Sequence, residues 1–76
     1  MSRAKHPIRA QQPIVRQALE LVEDSGTEGV IITKQAGIYR NGISMWRRGL
    51  CSPNVGQLEA VLNVIGYRLA IVRNDD

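Results

Sequence analysis

Four cations, Lys34, Arg40, Arg47 and Arg48, fall within residues 33–52 with no acidic residue among them, a block of charge +4. A second acid-free block, residues 1–12, holds Arg3, Lys5 and Arg9 and carries +3. Between the two, residues 13–32 set Arg16 against Glu20, Glu23, Asp24 and Glu28. Residues 53–76 set Arg68 and Arg73 against Glu59, Asp75 and Asp76. The formal net charge of +3 therefore hides two wholly basic stretches around an acidic one. Such a distribution suits a polyanionic partner, nucleic acid or an anionic membrane surface. Catalysis fits poorly. There is one histidine, His6, one cysteine, Cys51, no carboxylate pair and no glycine-rich phosphate loop in the right context. No catalytic residue, metal ligand or cofactor is expected, and the chain is not expected to be an enzyme.

The elements that must carry these charges are small. At 76 residues the chain makes one domain, and a core of that size supplies only a few kcal/mol by itself. A simple helical fold, a partner chain, or both are favoured. A hydrophobic fraction of 43% argues against wholesale disorder. A lone Cys51 closes no internal disulfide. No apolar run approaches the roughly 18–20 residues of a bilayer span, and no signal-peptide core follows the first charges. A cytoplasmic protein with no membrane partner is the expectation.

Along the chain, residues 1–12 lack hydrophobic periodicity and read as a flexible basic arm. Pro13 suits a first helical position, and Ile14, Ala18, Leu21 and Val22 recur at helical spacing, with Val15 and Leu19 widening the stripe. Ser25-Gly26 ends that helix. A second, short helix is expected from Glu28 to Ala36, burying Val30, Ile32 and Ala36, with Gly37 breaking it. Ser52 as N-cap and Pro53 in the first turn open a later helix whose apolar face is Val55, Leu58, Val61, Leu62 and Ile65. Gly66 closes it. Tyr67, Leu69 and Ile71 then alternate with Arg68, Ala70 and Val72, as in a strand.

The middle block has two readings. Asn41-Gly42 between apolar residues is a hairpin signal. Ile43 and Trp46, three apart and following Ile38, instead fit a short helix after a three- to four-residue turn, a helix-turn-helix. Local chemistry leaves both open.

A longer pattern favours the second. Ile32-Thr33, Ala36-Gly37-Ile38, Ile43-Ser44, Trp46, Gly49, Pro53, Leu58, Leu62 and Gly66 stand in a joined spacing that resembles the Cro/cI-type (XRE-like) helix-turn-helix family of phage and bacterial regulators. The resemblance covers residues 26–66 without a gap. It implies a mainly α, four-helix domain over 13–66, with the recognition helix at about Arg40 to Arg48. In such a domain Gly37 supplies the positive φ at the turn. Ile32, Ile38, Ile43 and Trp46 lock the helices, and Gly49 ends the recognition helix.

Carried onto this sequence, the family's base-contacting positions are Arg40, Asn41 and Met45, with Ser44 on the same outward face. Arg40 can pair with guanine O6 and N7, Asn41 with adenine N6 and N7, and Met45 can pack on a thymine methyl. Phosphate contacts fall to Arg47 and Arg48, to Lys34, and to Ser52 or Asn54 at the next helix start. Tyr39 departs from the Ser or Thr that the family prefers as N-cap, so a phosphate contact can take the place of that cap. Gly42 inside the recognition helix costs about 1 kcal/mol relative to alanine, and Gly29 also stands where a helix former is usual.

The ending is similar to that of HipB-type antitoxins, whose C-terminal strands pair across a dimer. A lone strand leaves its backbone groups unsatisfied, so Tyr67, Leu69 and Ile71 are expected at a dimer interface, with 73–76 as a tail. A twofold dimer would set two recognition helices about 34 Å apart on a palindromic site. Arg3, Lys5 and Arg9 either enter a minor groove or form a solubilising tail. The resemblance implies a homodimeric, sequence-specific DNA-binding transcription regulator, a repressor first, at the nucleoid of a bacterial host. An antitoxin that binds a toxin and represses its own operon is the alternative, and RNA polymerase is a further partner for an activator.

Overall fold

The computed structural model describes residues 7–75. Within them the chain forms four helices: α1 (Pro13–Ser25), α2 (Gly29–Ala36), α3 (Gly42–Arg48) and α4 (Val55–Val64). The protein is mainly α. No strand forms among the described residues, so the expected strand over 67–72 is absent from the single chain. The physical reason is that a strand needs a paired edge, and these residues offer no second extended segment to supply one.

Helix α1 begins with proline in its first turn and buries Val15, Ala18, Leu19 and Val22, spaced as one face of a helix. The face lies rotated from the expected stripe, for Ile14 is exposed and Val15 takes its place in the core. Val15, Leu19 and Val22 join Ala10, Ile32, Ile43, Trp46 and Val61 in the main cluster. Ala18 turns instead to Leu58 and Leu62, with Leu21, Ile65 and Leu69 around them. Helix α1 is thus the shared wall of two apolar clusters.

Helix α2 has four β-branched residues in a row, Val30 to Thr33, yet it can bury only one face. Ile32 and Thr33 are inside, with Ala36 half-buried, whereas Val30 is 54% exposed and does not reach the core as expected. The buried Thr33 hydroxyl donates to the Val30 carbonyl at 3.1 Å, so it carries no orphaned polar group. Gly29 opens the helix rather than interrupting it. Gly37 then turns the chain at φ 72, a conformation in which a Cβ would be strained.

The Asn41-Gly42 ambiguity resolves to helix. Helix α3 buries Gly42, Ile43 and Trp46. Trp46 is only 3% exposed in the main cluster. The helix starts two residues later than expected, because Arg40 and Asn41 form a turn in which the Gly42 N–H donates to the Tyr39 carbonyl at 2.9 Å.

Helix α4 also starts later than expected, with Asn54 and not Ser52 as its N-cap. The Gln57 N–H donates to Asn54 Oδ1 at 2.8 Å, and the Asn54 N–H donates to Gln57 Oε1 at 3.0 Å. This reciprocal capping box needs an amide or carboxylate three residues on. Ser52 has Val55 there, which cannot reciprocate. Packing begins at Leu58, one turn into the helix, and Val55 is accordingly 74% exposed. After Gly66 the Tyr67 N–H closes the helix on the Leu62 carbonyl at 2.8 Å.

Candidate nucleic-acid interface

Most of the cations and polar side chains picked out by the sequence lie along the α2–α3 connection, α3 and the segment after it. Arg40 and Asn41 are exposed in the turn before α3, not inside the helix. Tyr39 precedes them, 73% exposed. On α3, Ser44 and Arg48 are exposed and lie four residues apart, hence on one helix face, while Met45 is half-buried. Lys34 is exposed in the last turn of α2. Ser52 and Asn54 are exposed before α4, but the Asn54 side-chain oxygen and backbone N–H are both occupied by Gln57.

Arg47 and Arg48 separate. The Arg47 guanidinium forms an ion pair with Glu23 of α1, with both side chains largely covered. It therefore ties the end of α3 to α1, and Arg48 is left as the outward cation of the two. In chemical terms Glu23 neutralises one charge of the basic block from outside that block. The two residues belong to different charge segments and meet only through the fold.

Arg9 is placed by a second long-range contact. Its N–H donates to the Arg47 carbonyl at 2.7 Å, and the neighbouring Ala10 is buried in the main cluster with Ile8 packed against it. The end of the segment expected as a flexible arm is therefore docked on α3. Ile8 and Ala10 alternate with Arg9, but two apolar residues are too short a period to be read from sequence. Arg9, Ser44, Arg47 and Arg48 together line an open groove with Pro7 and Leu50. Pro7 and Leu50 are the two lining residues that sequence reasoning missed. Arg3 and Lys5 lie outside the described residues.

The C-terminal trio is dispersed. Leu69 is half-buried against the Ala18, Leu58 and Leu62 cluster, Tyr67 is half-exposed, and Ile71 is fully exposed at 103%. Of the side chains expected at a dimer interface, only Leu69 is committed within the chain.

Among the described residues no three His, Cys, Asp or Glu side chains come together as a metal site. No described helix is long and apolar enough to cross a membrane. The arrangement offers guanidinium, amide and hydroxyl donors on an exposed surface, groups that serve phosphate oxygens and base edges. Compared with family models, curated proteins and solved structures, the chain matches none of them.

Proposed function

We propose that this chain is a sequence-specific DNA-binding transcription regulator, a repressor that binds a palindromic operator as a homodimer. In this reading α2, the connection and α3 act as a helix-turn-helix, and α3 with the turn before it enters the major groove. The observation that carries the reading is the exposure of Arg40, Asn41 and Ser44 at the start of α3, within a stretch free of acids from Gly29 to Leu58. Arg40 and Asn41 bear the side chains suited to guanine and adenine edges, and Ser44 a hydroxyl that can meet either. Arg48 and Lys34 supply phosphate contacts, with Tyr39 and Ser52 as hydroxyl donors. Arg47 is reserved by Glu23.

The homodimer draws its support from the exposed apolar side chains of Tyr67, Ile71 and Val72. Pairing this segment with its copy would satisfy backbone groups and cover those side chains. The same exposure also favours a different protein partner, which is the antitoxin reading.

Selection of genomic fragments by the purified protein, followed by sequencing, tests the proposal. The expected result is an inverted repeat with half-sites about one helical turn apart. Arg40→Ala should then relax one base position, at about 1–3 kcal/mol. Weak, uniform binding with no enriched motif would overturn sequence-specific readout, and a heterologous protein that co-purifies stoichiometrically would turn the assignment to the antitoxin.

A further inference from the structure

The docked segment 8–10 changes what Arg9 can do. Its backbone is held on several sides. The Arg9 N–H is bound to the Arg47 carbonyl, and the Arg16 guanidinium donates to the Ile8 carbonyl at 3.3 Å. The Arg9 carbonyl lies so close to Gly49 that a Cβ there would sit 2.9 Å from it. Arg9 therefore starts from a fixed point beside α3 rather than from a loose arm.

The groove that it enters has the electrostatics of an anion site. Its lining, Pro7, Arg9, Ser44, Arg47, Arg48 and Leu50, contains no acid. Arg47 is balanced by Glu23, so Arg9 and Arg48 supply the net charge and the Ser44 hydroxyl a neutral donor. A helix C-terminus ordinarily repels anions through its bare carbonyls. Here those carbonyls are covered, Met45 by the Leu50 N–H at 3.0 Å, Trp46 by the Gly49 N–H at 3.1 Å and Arg47 by Arg9. At about 570 Å³ the groove has room for a phosphate group and stays open to one side.

We infer that this groove is a phosphate site in which Arg9, positioned by the fold, acts with Arg48. Its occupant is a backbone phosphate of the duplex that α3 reads, so the inference rests on the DNA-binding reading. Arg9 then grips the DNA backbone and is not a minor-groove arm residue, and its contribution does not depend on residues 1–6.

The test uses the full chain and its Arg9→Gln, Arg9→Lys, Arg48→Gln and Arg73→Gln variants. Affinity for a mixed-sequence duplex is measured across a salt series, and inorganic phosphate is titrated while backbone amide resonances are followed. Each neutral groove variant should lower the slope of log K against log salt by about 0.9. Arg9→Lys should restore it, and Arg73→Gln, outside the groove, should leave it unchanged. Phosphate should shift the Arg9, Arg48 and Gly49 amides saturably. Thermal melting should be the same for Arg9→Gln as for the parent, because the clamp is made by backbone. A parent that binds duplex with a slope unmoved by Arg9→Gln overturns the site while leaving the DNA reading intact. A parent that ignores duplex, yet shows phosphate shifts lost in Arg9→Gln, overturns the DNA occupant and upholds the anion site. Absence of both responses overturns both.

Discussion

Two asparagines occupy N-cap positions, and they are used in opposite ways. Asn54 has extended backbone at φ −79 and ψ 171, which turns its side chain back onto the first turn of α4, where it accepts from Gln57. Asn41 sits at φ −93 and ψ 6, outside the extended region, and makes no capping bond to α3. A cap bond is typically made from the extended conformation, so the backbone separates the two roles. The α4 end spends its polar side chains on its own helix. The α3 end holds itself by the Gly42 N–H to the Tyr39 carbonyl and by burying Ile43 and Trp46, and leaves its polar side chains facing outward. A region that withholds local hydrogen bonds from its side chains is one that can lend them to a ligand.

The strongest challenge to this contrast lies at the far end of α3. Gly49→Ala should cost about 2 kcal/mol, since it places a Cβ at φ 77 and against the Arg9 carbonyl. Chemical denaturation measures the loss, and a cost near zero would mean that segment 8–10 is not clamped there. Next come the asparagines themselves. Asn54→Ala should lose about 1 kcal/mol as the capping box is broken. Asn41→Ala should stay within about 0.5 kcal/mol of the parent, and its effect should appear in duplex affinity. Equal losses of stability at the two sites would erase the distinction. The smallest effect is a gain. A Cβ on Gly42 would meet Ile38 and Trp46 at 3.6 and 3.7 Å, ordinary contact distances. Gly42→Ala should therefore raise stability by about 0.5 kcal/mol through helix propensity, and a clear loss would show that α3 needs closer packing at its start than these distances imply.

Helix ends were legible in the sequence, and so were the starts of α1 and α2, which fall at or one residue from the expected positions, whereas α3 and α4 begin two residues late. Gly26, Gly37, Gly49 and Gly66 all take positive φ where each was expected to stop a helix. Pro13 marks the start of α1 without a side-chain cap bond, whereas α3 has neither a proline nor a cap bond to mark its start. For α4 the expected cap was Ser52, and the reciprocity of Gln57 places the cap at Asn54 instead. The core positions Ile32, Ile43, Trp46, Leu58, Val61 and Leu62 followed from the apolar pattern, whereas Val30 and Val55, expected on the same faces, lie outside because Val30 is turned from the core and Val55 precedes the first packed turn of α4. Of the candidate site, Arg40, Asn41 and Ser44 are exposed near the start of α3, although the first two fall before the helix. The Arg47–Glu23 pair and the docking of Arg9 could not be read, since both join segments distant in the chain through tertiary packing. The functional expectation rested on the two acid-free basic blocks and on the joined spacing over residues 26–66, not on any single residue.

Trp46 gives the molecule a built-in optical gauge. It is the one tryptophan in the chain, and it is sealed in the main cluster, whereas Tyr39 is exposed and Tyr67 half-exposed. Its fluorescence therefore monitors the packing of α3 into the main cluster, while far-ultraviolet dichroism averages over all four helices and is weighted toward the longer α1 and α4. If the two signals change together on heating, the domain melts as a unit. If the indole is wetted first, the surface that offers Arg40 and Asn41 is the part of this small fold that yields most readily.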